Sequence, residues 1–172
     1  MAHNTALCER DVTEAFKDAF RAHPAGVAII TANGSSGPVG LTASSVSSVS
    51  AEPPILSFSL ASMHGTAGAI AGAGTVVVHL LGADNAELAG IFARQGADRF
   101  GSARIRTLPG GEPLLEDAPV ALLCRIDGRV PVGGSILIAA SVLSILPGST
   151  GQDPLVYHNR TFHRLGEHSA LG

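Results

Sequence analysis

The sequence predicts a mainly β fold, an antiparallel β-barrel carrying a few helices. Three observations point there. Six or seven stretches read as strands, and many are joined by short turns. A doubly wound parallel sheet needs a helix after nearly every strand, and the second half of the chain offers none. Hydrophobic residues make up 45% of the chain but aromatics only 4%, so Ala, Val, Ile and Leu must fill the core. At 172 residues, one domain is expected over 1–172, with its core at about 11–165. A chain of this size hides about 70% of its unfolded surface, enough to fold without disulfide staples.

Residues 11–22 read as a helix: Asp11 can cap it, Glu14 follows three residues on, and Val12, Phe16 and Phe20 recur every four. His23-Pro24 ends it, because a residue before proline avoids helical angles. Residues 26–31 form a buried strand, 33–37 a hairpin loop, and 39–44 its partner strand. Pro53-Pro54 marks a boundary, since neither residue can donate to a sheet ladder, and 55–61 is the next strand. Residues 66–73 suggest a short helix weakened by Gly68 and Gly72.

The β-branched run 75–81 is a strand, and Asp84 is expected to cap a helix to about Arg94, with Leu88, Ile91 and Phe92 inward. Residues 96–118 read as a long irregular stretch, of the length that is usually functional or mobile. Two long strands, 120–132 and 135–146, meet at Gly133-Gly134, a hairpin signal. After a loop at 147–154, residues 155–165 read as a last strand with a bend.

Composition narrows the function. The net charge is −3, with one lysine (Lys17) and ten arginines, which argues against a nucleic-acid surface. Single arginines can still hold a small anion through their planar fork. Cys8 and Cys124 lack redox or metal spacing, and Cys124 is read as a packed thiol. The N-terminus lacks a signal-peptide pattern, and the longest mostly apolar stretch, 136–146, is too short to span a bilayer. A cytoplasmic protein without a membrane or metal partner is expected.

The chain's chemistry concentrates in residues 39–66. Thr42, Ser44, Ser45, Ser47, Ser48 and Ser50 crowd together, followed by Ser57, Ser59, Ser62 and Thr66. Hydroxyls, free backbone N–H groups and an occasional arginine suit phosphate. Ser62 and Thr66 bracket a helix start at Gly65, whose amides favour an anion, although they can equally serve as caps. In Thr42-Ala43-Ser44-Ser45 a small residue between hydroxyls lets a planar ring approach the main chain; a solvated polar sheet face is the alternative. His79, inside an apolar strand, reads as a hydrogen-bonded core residue. His158, His163 and His168 recur every five residues, which matches neither a strand face nor a helix face. No nucleophile elbow and no dinucleotide fingerprint is present.

The motifs PAGVAIIT, GLTASSVSSVSAEPPILSFSL, TVVVHLL, ADRFG and PLVYHNRTFHRL, in that order, resemble the flavin reductase-like family of FMN-binding split barrels. The resemblance covers about 11–165. It implies a homodimer that binds FMN or FAD, oxidises NADH or NADPH, and hands reduced flavin to a flavin-dependent monooxygenase. It implies that Thr42, Ala43, Ser44 and Ser45 run along the isoalloxazine and ribityl chain. Ser59, Leu60 and Ala61 would lie under the ring, Ser62 and Thr66 would grip the phosphate, and Arg99 with Phe100 would stand near the phosphate or outer ring. No side chain is expected to be catalytic, because the flavin carries the chemistry.

One departure stands out: Gly133-Gly134-Ser135 replaces the family's frequent Gly-Asp-His, so Ser135 takes the place of a histidine associated with the nicotinamide. Losing one orienting side chain costs about 1–3 kcal/mol, or about ten- to a hundred-fold in rate. Ser135 and His158 are the nicotinamide-side candidates. The alternative is a flavin-binding electron-transfer or carrier protein without reductase activity.

Overall fold

The computed structural model describes residues 9–171, with side chains from residue 11; Cys8 lies outside the described residues. Helix α1 (Glu9–Ala22) opens the described chain. Strands β1 (Ala25–Gly26), β2 (Ala28–Gly34), β3 (Gly37–Ala43), β4 (Ser47–Ala51) and β5 (Pro54–Leu60) lead to helix α2 (Gly65–Gly72) and strand β6 (Thr75–Leu80). Helix α3 (Ala86–Ala93) follows, then the short β7 (Ile105–Thr107) and β8 (Pro113–Leu115). Strands β9 (Val120–Val132), β10 (Ser135–Pro147), β11 (Leu155–His158) and β12 (Thr161–Arg164) complete the fold.

Seven strands form one antiparallel sheet in the order β3-β2-β6-β9-β10-β5-β4. The mainly β expectation holds. The sheet is rolled rather than flat: Ala28, Ile30 and Ala43 from one end share a core with Leu56 and Phe58 near the other. Among the described residues no backbone ladder closes the roll. Strand β6 is an interior strand of that sheet, and Val76, Val77 and Val78 are fully buried. Their alternation feeds two cores, Val76 and Val78 into the roll and Val77 against Leu108, Leu114 and Ala121 outside it. A third core packs α3 on the outer face, with Ala89 and Phe92 buried against Ile29 and Leu115. Gly40 permits that approach, since a Cβ there would stand 2.7 Å from Phe92.

Several boundaries differ from expectation for identifiable reasons. Strand β2 runs on through Asn33-Gly34, and Ser35-Ser36 make the turn. The serine-rich segment after β3 contains an edge strand, β4, paired to β5. Asp84 does not cap α3; a 3-10 turn, Ala83–Asn85, precedes it, and Asn85 Oδ1 accepts from the Gly82 N–H at 3.0 Å. Leu88 and Ile91 are half-buried while Ala89 and Phe92 face inward. The irregular stretch 96–118 holds the β7–β8 hairpin. The bent last strand is two strands, β11 and β12, joined by a tight turn with Asn159 at φ 49° and Arg160 at φ 63°.

His79 occupies the position expected of it. It is fully buried, its Nδ1 lies 3.0 Å from the Ile29 carbonyl, and its Nε2 accepts from the Leu115 N–H at 2.9 Å. Burial pushes its pKa down to about 4, so the ring is neutral and Nδ1 carries the proton. Cys124 is a packed thiol, pushed up to about 12 by burial. Among the described residues no helix is long and apolar enough to cross a membrane.

Candidate functional site

The rolling of the sheet brings β3 and β5, distant in strand order, to one place. Ser45, just past β3, accepts from the Ser59 N–H at 3.0 Å and donates to the Ser59 carbonyl at 3.2 Å. These two bonds carry the β4–β5 register, in which Ser47 lies opposite Ser57, two residues further at the seam of the barrel. Along the seam runs a shallow concavity of about 340 Å3. It is lined by Thr42, Ala43, Ser44, Ser45, Ser59, Leu60, Ala61 and Ser62, with Ser135 beside them. These are the expected flavin residues except Thr66, Arg99 and Phe100.

The hydroxyls of this row fall into two kinds. Thr42 donates to the Ala89 carbonyl of α3 at 2.6 Å, and Ser62 accepts from the His64 N–H at 3.0 Å, turning the chain into α2. Those two, with Ser45, hold the walls together. The Ser44 and Ser59 side chains are exposed, and among the described residues no partner takes their hydroxyls. Ala43 and Ala61 add no bulk, so a flat ring can come close to the backbone.

At the end of the row past Ser62, α2 begins, and Thr66 and Arg99 meet there. The Arg99 guanidinium donates from Nη1 to Thr66 Oγ1 at 2.9 Å and from Nη2 to the Arg94 carbonyl at 2.8 Å. Its Nε is buried without a partner among the described residues, a donor left over beside a helix start. Gly68 lets this turn form, because a Cβ there would stand 2.3 Å from the Met63 carbonyl oxygen. Phe100 is set apart: its ring packs edge-on against Phe92 at 5.2 Å and anchors the loop to α3.

On the other side of the row lies a larger hollow of about 810 Å3 that shares Ser44, Ser45 and Ser59 with it. Phe16 and Phe20 of α1, Tyr157 and Arg160 line this hollow. His158 does not; its ring lies 5.6 Å from His163. Side chains alternate along β11, so Tyr157 and His158 point to opposite faces. Tyr157 and Arg160 are the residues that motif reading missed, and that alternation is the signal that would have found Tyr157.

Comparison with known proteins identifies the family. The family "Flavin reductase like domain" matches residues 20–166. The chain is 36% identical over 165 residues to an NADH:FMN oxidoreductase of Rhodococcus erythropolis, covering 94% of this chain and 84% of that protein. It is 35% identical to the actinorhodin polyketide dimerase of Streptomyces coelicolor, over 87% of this chain and 84% of that one. The crystal structure of a flavin reductase domain protein from Arthrobacter sp. FB24 superposes with a TM-score of 0.84 at 36% identity, covering 90% of this chain and 96% of that one. The chain belongs to the flavin reductase-like family.

Proposed function

We propose that this protein is an NAD(P)H:flavin oxidoreductase, which binds FMN or FAD and reduces it with NADH or NADPH for a partner monooxygenase. The observation that carries the reading is the single concavity formed by Thr42 to Ser45 and Ser59 to Ser62 along the barrel seam. Relatives support the chemistry: one is named an NADH:FMN oxidoreductase, and the flavin reductase HpaC, 30% identical with a TM-score of 0.82, was solved with NADP+.

The residues present fit a flavin. Ala43 and Ala61 leave the backbone approachable, and Ser44 and Ser59 offer unengaged hydroxyls to a polar rim. Thr66 and Arg99, with its unpaired Nε, would hold a phosphate, each charged hydrogen bond contributing roughly 1.5–3 kcal/mol. The bound flavin supplies the hydride acceptor, so this chain's side chains need only bind and orient. The reading takes the whole chain as one such domain. It takes the protein as a homodimer, supported by the exposed Val130, Val132, Leu137 and Ile145 on the β9–β10 hairpin.

A second reading, a flavin-binding electron-transfer or carrier protein, is favoured by Ser135, which brings no imidazole to the concavity. One experiment separates the two. Purified protein is mixed with FMN or FAD and each nicotinamide, and loss of the nicotinamide absorbance is followed. The reductase reading expects oxidation well above the free-flavin background. Flavin bound with both nicotinamides ignored supports the carrier instead.

A further inference from the structure

We propose that Arg160 recognises the diphosphate of the dinucleotide co-substrate and so sets the affinity for NADH or NADPH independently of the flavin. The inference rests on the reductase reading and extends it to one residue.

Arg160 sits at the tip of the β11–β12 turn with φ 63°, a conformation glycine adopts freely and other residues rarely do. Glycine would suit the backbone better, so the side chain here is held against local preference, a pattern that marks functional positions. The turn is also fixed in place. The Asn159 N–H donates to the Arg21 carbonyl at 2.9 Å, tying it to the end of α1.

The surroundings point to an anion. Arg160 lines the hollow of about 810 Å3 and also a neighbouring one of about 370 Å3, and both share Ser44 with the hydroxyl row. A ligand crossing the row at Ser44 would therefore pass Arg160. The larger hollow's lining contains no carboxylate. Its other long cations are already engaged, Lys17 with Glu14 and Arg21 with Asp18, each at 2.8 Å. Among the described residues Arg160 has no ion pair or side-chain hydrogen bond, which leaves its planar fork open to two phosphate oxygens.

Two cationic positions thus flank the row. Arg99 with Thr66 stands past Ser62, where the flavin phosphate is proposed, and Arg160 stands on the Ser44 side. The second anion belongs to the second substrate.

The test uses FMN as the flavin, so that the dinucleotide carries the only diphosphate. Arg160→Gly removes the charge and relieves the left-handed backbone, and its thermal midpoint should be unchanged or raised. It should raise KM for the dinucleotide about tenfold or more, with kcat within about twofold and the FMN Kd unchanged. The salt dependence of that KM should flatten. Arg160→Lys, which keeps the charge without the fork, should recover part of the affinity. An unchanged KM for both NADH and NADPH overturns the proposal, as does a weakened FMN Kd with KM unaltered. Wild-type protein that oxidises neither dinucleotide overturns the reductase reading, and this proposal with it, before any variant is made.

Discussion

The polar groups around His79 and those along the seam at Thr42 to Ser62 sit on the same sheet, and the fold treats them differently. His79 bridges the Ile29 carbonyl and the Leu115 N–H, and Thr31 donates to the Pro113 carbonyl within the same buried layer. Every one of those buried groups is matched inside the chain. At the seam, Ser45 and Thr42 are matched, but among the described residues the Ser44 and Ser59 hydroxyls are not, nor, beyond the end of the row, is the Arg99 Nε. Buried polar atoms must be satisfied by the fold; those left open along a concavity are available to a ligand. The difference separates struts from contacts within one serine-rich segment.

The largest expected effect falls on the strut side. His79→Ala strands two buried backbone groups and leaves a void, and should cost about 3 kcal/mol in urea unfolding without changing the flavin Kd of the folded protein. A loss below about 1 kcal/mol would show that the two backbone groups find other partners. A related effect follows from protonation. The folded pKa of His79 is about 4 against an ordinary value of 6.5, so between those values the unfolded chain binds more protons. Stability from this group is complete above pH 6.5 and is lost as pH falls toward 4, by on the order of 3 kcal/mol. Thermal midpoints measured across that window should drop, and His79→Gln should flatten the slope.

On the ligand side, Arg99→Gln should weaken FMN about ten- to a hundred-fold while leaving riboflavin, which lacks the phosphate, unchanged. Equal losses for both flavins would make Arg99 a support for the loop rather than a phosphate contact. The smallest pair of effects is the most discriminating. Ser45→Ala should cost about 1 kcal/mol of stability, and Ser44→Ala less than about 0.5 kcal/mol. Flavin titration should reverse the order, with Ser44→Ala the more damaging.

The parts of the fold with strong local signals were legible in the sequence. The β9–β10 hairpin was readable from two long strands around Gly133-Gly134, and β6 from its β-branched run. Strand β4 was not, because an edge strand of exposed serines shows no apolar alternation. The β11–β12 hairpin was missed because its turn is Asn-Arg, where Asn-Gly would have announced it. The concavity residues came from hydroxyl density and family resemblance together; neither alone says which hydroxyls are struts. That distinction depends on which backbone groups lie opposite each hydroxyl: Ser45 meets Ser59 where the β4–β5 register continues, and β4 left no local trace. Arg160 escaped for the same reason, since only the packed turn places it beside Ser44.

The central claim is that a flavin lies along the seam. Ala61 is exposed there, so Ala61→Phe fills the concavity without entering the core. The deciding measurement is titration of apoprotein and this variant with FMN, followed by quenching of flavin fluorescence. The account predicts saturable binding by the wild type and affinity at least about tenfold weaker in the variant, with the thermal midpoint unchanged. Equal affinity in the two proteins would contradict it.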